Sequence, residues 1–153
     1  LEDFFTGPGR DIARENVLEP GELVTRVLLP GPKSGVEPAA DGKGNHMMPS
    51  NSVYLKARER EAGDFALVSV AAAITLEGTT IVGASVVLGG VAPVPYRARE
   101  VEEYLLGNDA SRVDPVHAGN LALPDASPMA GNAYKVILAQ NLVKRAVERL
   151  LAR

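Results

Sequence analysis

Between residues 52 and 60 the chain alternates strictly: Val53, Leu55 and Ala57 fall on one side, Tyr54, Lys56 and Arg58 on the other. A period of two predicts a half-buried strand whose second face carries an aromatic and two cations. Phe65–Leu76 is rich in small and aliphatic residues and runs into Glu77-Gly78-Thr79-Thr80, with Ile81–Leu88 directly after it. That pair reads as a β-hairpin closed by a short Gly-containing turn. Ala71-Ala72-Ala73 has helical propensity, but its β-branched neighbours and the turn favour a strand, and its small side chains let another element approach the sheet closely. Gly89-Gly90 ends the strand, and Pro93 and Pro95 hold the next segment extended. Upstream, Leu23–Leu29, stopped by Pro30, predicts a further strand.

Beyond residue 97 the period changes. Ala98–Leu106 places Val101, Tyr104 and Leu105 on one helical face and Glu100, Glu102 and Glu103 on another, ending at Gly107-Asn108. Pro115–Leu123 is a weaker helical pattern. From Asn132 to Leu151 an apolar stripe of Val136, Ala139, Val143, Ala146, Val147 and Leu150 predicts a long helix, its cations gathered toward the C-terminal half. Strands first and helices last predict an α+β fold: a small, mostly antiparallel sheet of three to four strands packed on about three helices. Residues 1–21 read as a connecting arm docked by Phe4 and Phe5, residues 22–153 as the α+β domain, and the Pro- and Gly-rich stretch 30–51 as a long surface loop.

The 153 residues suffice for one domain's core, and 46% hydrophobic with 23% charged residues is a globular balance. A net charge of −3 gives no footprint for nucleic acid or for an acidic membrane. The absence of cysteine excludes disulfides, thiolate metal sites and iron–sulfur ligation by this chain. No apolar run approaches the ~18 residues of a membrane span, and the acidic Leu1-Glu2-Asp3 start does not resemble a signal peptide. Two histidines, His46 in the loop and His117 in a short helix, are too far apart in sequence to suggest a metal site.

No Walker loop, dinucleotide fingerprint, zincin motif or nucleophile elbow occurs. TGPGR reads as a turn because no helical pattern opens after it, and Gly89-Gly90-Val91 reads as a strand-ending turn that also permits a close backbone approach. The densest polar stretch is Tyr54–Asp64. Read blandly it is a solvated sheet face; read functionally it is a ligand edge, where Lys56 on a rigid strand meets negative charge and Asp64 anchors the turn or accepts from a donor.

Taken together, LEDFFTGPG, LEPGELVTRVLLP, YLKARERE, GDFALVSVAAAI, LGGVAPVPYRA and GNAYKVILAQNLVKRAV occur in the order in which similar segments occur in the FAD-binding (medium) subunits of molybdenum hydroxylases. That family includes carbon monoxide dehydrogenases, xanthine dehydrogenases and aldehyde oxidoreductases, and the resemblance omits only 31–50 and 108–123. It implies that this chain is the C-terminal part of a longer subunit, with the arm 1–21 leading from an N-terminal FAD-binding domain whose Gly-rich loops hold the cofactor's diphosphate. The non-Met start fits that expectation.

The resemblance also implies roles. Lys56 matches a lysine near the pyrimidine edge of the flavin, where a cation would help set the potential. Asp64, with Arg58–Gly63, matches a loop bordering the isoalloxazine. Leu18 and Val24 match apolar positions near the adenine side, and Tyr54 an aromatic found in part of the family. The implied assembly adds a molybdopterin-binding large subunit and a small subunit carrying iron–sulfur clusters, in the cytoplasm or, through a partner's signal, the periplasm. The implied activity is that of an FAD-dependent oxidoreductase passing electrons to NAD or another acceptor, with this fragment inactive alone. The competing reading is a stand-alone interaction or dimerisation module, suggested by the apolar stripe of the last helix and the lack of catalytic groups.

Overall fold

The computed structural model describes residues 4–7, 9–27 and 51–152, which fall into two compact units, Leu1–Met48 and Pro49–Arg153. In the first unit the chain doubles back on itself. Phe5 bridges Asn16 in antiparallel fashion, Thr6 N donates to Glu15 O at 3.0 Å and Val17 N to Phe4 O at 3.0 Å. Arg14 fastens the return strand through Glu19 and the Leu18 carbonyl. The Phe4 and Phe5 rings meet each other edge to face, 5.2 Å between centroids. Glu19-Pro20-Gly21-Glu22 is a tight turn: Glu22 N donates to Glu19 O at 2.9 Å and Gly21 takes φ 92°, a conformation open to glycine after proline.

The expected strand Leu23–Leu29 is not formed over its described part. Residues 22–27 are irregular and exposed, because a strand exists only with a hydrogen-bonding neighbour and none is present among the described residues. Leu28 and Leu29 lie outside the described residues, as does the expected loop 30–51 with His46 in it, save Asn51, which opens the first strand of the sheet.

The second unit is built on four strands, β1 Asn51–Ala57, β2 Val68–Glu77, β3 Thr80–Gly89 and β4 Tyr96–Arg97, followed by helices α1 Arg99–Leu105, α2 Pro115–Asn120 and α3 Tyr134–Leu151. Every neighbouring pair is antiparallel and the strand order is the chain order. The two-residue loop Gly78-Thr79 makes the β2–β3 turn, with Gly78 at φ 60°. The pairing shifts by one residue between Thr75 and Leu76, a bulge that moves the strand register near the tip. The short β4 escaped the sequence pattern because Pro93 and Pro95 crowd it, leaving only two residues to pair.

One face of the sheet is closed. Leu55, Val70, Ala72, Ile74, Val86 and Leu88 are buried, and α3 lies over β1 and β2 while α1 lies over β3. The helix contributes Ala139, Leu142, Val143, Ala146, Val147 and Leu150 to this core. Each fully buried Val, Leu or Ile is worth about 1.5–3 kcal/mol against leaving it in water, so this layer holds the unit together. The predicted stripe is thus consumed in the chain's own core. It is not a free face for a partner, which removes the observation that suggested a dimerisation module.

Three fastenings complete the unit. Glu102, grouped above with the polar residues of α1, is buried instead: its carboxylate accepts from Val86 N at 2.8 Å and from Arg97 Nε at 2.8 Å, pinning α1 to β3 and β4. At Gly119 a Cβ would stand 2.6 Å from the Gln140 carbonyl, so α2 rests backbone to backbone on α3. At the hairpin tip Asp109 accepts from Ser111 and from Thr79 Oγ1, and Ala110 N donates to Thr79 O at 2.8 Å. His117 stacks edge-on against Tyr104, 4.7 Å between centroids, which gives it a packing role.

Candidate functional site

Among the described residues, no helix lies on the other face of the sheet. Register places Tyr54 beside Ala71 and Ala71 beside Val87, Lys56 beside Ser69 and Ser69 beside Gly89, and Ser52 beside Ala73 and Ala73 beside Ser85. Small side chains therefore floor the middle of this face, and Tyr54 stands above them, 62% exposed. Shallow troughs of about 380 and 350 Å³ run on either side of the Tyr54 ring. A strand face made of Ala and Ser gains little from burial against water; it is suited to a flat body that must come close.

At the end of this face the β1–β2 loop closes on itself. Leu67 N donates to Ala57 O at 2.9 Å at its base, and Lys56 Nζ donates to the Asp64 carbonyl at 2.6 Å across its mouth. The Asp64 carboxylate accepts from Arg60 N at 3.0 Å, capping the turn from inside. The loop base seats against β3 through Gly90, at φ 77°: a Cβ there would lie 2.7 Å from the Leu67 carbonyl. The close approach expected at Gly89-Gly90 thus serves a facing backbone.

Tyr54, Lys56, Gly63, Asp64, Phe65 and Ala66 line one open cleft of about 430 Å³. Of the five residues singled out above, Tyr54, Lys56 and Asp64 are brought together there. Leu18 and Val24 belong to the first unit, Leu18 half-buried and Val24 exposed. The residue missed is Phe65, 94% exposed at the cleft's rim. It stood at the start of the expected strand Phe65–Leu76, but the strand begins at Val68, and residues 65–67 belong to the irregular loop whose closure turns Phe65 outward.

A second cleft, about 270 Å³, lies between Gly90, Tyr96, Asp125 and the start of α3. There Lys135 Nζ donates to the Gly90 carbonyl at 2.9 Å, tying α3 to the end of β3. Burial first, then the charges of Glu100 and Asp125, push the Tyr96 phenol above its ordinary range. Among the described residues no group of His, Asp or Glu side chains is arranged to hold a metal ion, and no helix is long and apolar enough to cross a membrane.

The arrangement offers a cation, two aromatic rings and an open small-residue floor, but no nucleophile–base pair. It can receive a planar group and supply positive charge to its edge.

A family model for the carbon monoxide dehydrogenase flavoprotein C-terminal domain matches residues 53–150. The chain is 34% identical over 152 residues to the FAD-binding subunit of aldehyde oxidoreductase from Escherichia coli (strain K12), an alignment covering 99% of this chain and 39% of that subunit. It is 33% identical over 155 residues to the carbon monoxide dehydrogenase medium chain of Afipia carboxidovorans, covering 99% and 47%. Among solved structures, the carbon monoxide dehydrogenase of Hydrogenophaga pseudoflava superposes with a TM-score of 0.59 at 28% identity, covering 66% of this chain and 36% of that one. The chain spans less than half the length of these relatives.

Proposed function

Because the chain belongs to the family of carbon monoxide dehydrogenase flavoprotein C-terminal domains, we propose that it is the C-terminal part of the FAD-containing subunit of a molybdenum hydroxylase. In this reading the open sheet face and the β1–β2 loop border the flavin ring, while the FAD diphosphate is held by chain outside these residues. The observation that carries it is the juxtaposition of Tyr54, Lys56 and Asp64 beside a floor of small residues. The Lys56 ammonium and the Tyr54 ring beside a floor of small residues fit the ring end of the cofactor.

Each side chain then has a task. Lys56 brings positive charge to the edge of the ring system, and its bond to the Asp64 carbonyl fixes where that charge sits. Asp64 keeps the loop in shape by accepting from Arg60 N. Tyr54 offers an aromatic surface, and the adjoining loop screens the ring from water. Leu18 and Val24 supply apolar contacts toward the adenine end. The bound flavin would supply the redox chemistry, taking electrons from iron–sulfur centres of a small subunit that are fed by a molybdopterin-containing large subunit, and passing them to NAD or another acceptor. The 153 residues alone have no activity in this scheme.

The test is a visible absorption spectrum of the natively purified full-length subunit beside that of this chain. Flavin bands in the subunit and none in the chain are expected; a folded, colourless subunit would refute the reading. Titration calorimetry of the chain with FAD is expected to show no micromolar binding.

A further inference from the structure

Lys135 stands where helix physics does not favour it. It lies in the first turn of α3, where the positive end of the helix dipole opposes a cation, and that turn has neither an acidic residue nor a side-chain cap. Holding a lysine side chain in one arrangement also costs entropy. What the side chain gains is a bond across 45 positions of the chain, from Nζ to the Gly90 carbonyl at 2.9 Å.

Gly90 lies against the candidate site from behind. It takes φ 77°, and a Cβ on it would lie 2.7 Å from the Leu67 carbonyl oxygen and 3.4 Å from that of Ala66, so this turn seats directly on the base of the β1–β2 loop. Gly90 and residues 91–95 fall outside the strands, so strand pairing does not fix this carbonyl. One residue back, Gly89 completes the row Lys56, Ser69, Gly89 across three strands, and a Cβ on it would come within 2.6 Å of Ser69 Oγ. Ala66 and Lys56 line the same cleft. Leu67 N ties the two ends of the loop together through the Ala57 carbonyl at 2.9 Å, and Lys56 Nζ rests on the Asp64 carbonyl at 2.6 Å. Close-packed backbone thus runs from α3 through Gly90 to the ammonium at the cleft's edge.

We infer that Lys135 is a positioning residue: by holding the Gly90 carbonyl it seats the end of β3 against the base of the β1–β2 loop, and so fixes where the Lys56 ammonium stands relative to a bound flavin. The inference rests on the reading given under the proposed function. Lys135 acts through Lys56 and not by its own charge.

A double-mutant cycle on the full-length subunit tests it, with Lys135→Met, Lys56→Ala and the two combined. The readouts are the flavin midpoint potential and amide exchange at Arg60 and Leu67. Lys135→Met is expected to make the flavin harder to reduce, by less than Lys56→Ala does, and to add nothing once Lys56 is gone. Exchange at the two amides should rise about 5–10-fold. Lys135→Arg, which keeps donors in reach of Gly90, should restore both readouts. An unmoved potential overturns the inference even if exchange rises, because the bond would then be structural alone. A shift of equal size with and without Lys56 also overturns it, because Lys135 would then act by its own charge. A folded, colourless wild-type subunit would refute the flavin reading and take the inference with it; a flavin-containing subunit whose potential ignores Lys135 would refute the inference only.

Discussion

The two faces of the β1–β4 sheet differ in what they are made of and in what depends on them. The closed face is mostly Leu, Ile and Val under helices α1 and α3; the open face is mostly Ala, Ser and Gly around Val87, with Tyr54 and Lys56 standing above it. Both are written into the same strands at alternate positions, so the division reflects side-chain choice alone. The closed face stores the stability of the unit, while the open one is free to be shaped for whatever approaches it. Sheets with one face covered ordinarily show polar residues on the other; a floor of alanines is a departure that solvent alone does not explain.

Breaking the closed face should have the largest effect. Leu88→Ala removes a fully buried side chain and is expected to cost about 2–5 kcal/mol in denaturant unfolding of this chain, whereas Ala71→Ser on the open face should stay within about 0.5 kcal/mol. Comparable losses at both positions would abolish the distinction. Next comes the buried carboxylate: Glu102→Ala leaves Val86 N without its acceptor and removes the carboxylate from Arg97, and about 1–3 kcal/mol of destabilisation is expected. Gly119→Ala drives a methyl group against the Gln140 carbonyl and should cost about 1–3 kcal/mol, read as a lower melting temperature with unchanged helix content.

Lys56→Ala sharpens the comparison from the other side. It should leave the unfolding midpoint of the chain within about 0.5 kcal/mol while making the flavin of the full-length subunit harder to reduce; an unchanged midpoint potential would remove Lys56 from the site. The smallest effect is expected at the hairpin tip. The hydroxyl and amide of Ser111 together with the Thr79 hydroxyl lower the Asp109 carboxyl from 3.8 to about 2. A carboxyl depressed on folding contributes stability that is complete above its unfolded value and fades as pH falls from about 4 toward 2. Asp109→Asn should therefore lower the melting temperature slightly above about pH 4 and flatten the profile between about pH 4 and 2. A wild-type slope retained by the variant would place the acid sensitivity elsewhere.

Periodicity was informative wherever burial follows it. Val53, Leu55 and Ala57 turned inward as their alternation required, and the α3 stripe packed as its 3.6-residue spacing required, with Leu142 joining it. It was silent where a single neighbour decides. Glu102 reads as a surface glutamate until Arg97 and Val86 N are seen to close on it, and Leu23–Val27 has strand composition but no strand beside it among the described residues. At the candidate site, the crowding of charge from Tyr54 to Asp64 was plain in the sequence. That Lys56 reaches a backbone carbonyl eight residues on, and that Phe65 points outward, depended on the loop's closure.

The side-chain amide of Asn51, at the first residue of β1, donates to the Leu150 carbonyl in the last turn of α3, a bond spanning 99 residues. The sheet itself is assembled only from consecutive strands and can form in the order in which the ribosome delivers them. The layer that covers it cannot. Until the final turn of α3 leaves the exit tunnel, β1 and β2 present Leu55, Val70 and Ile74 to water or to a chaperone. This unit therefore completes its fold only once α3 has been made, and a break in the chain within α3 would leave a well-paired sheet with its oily side bare.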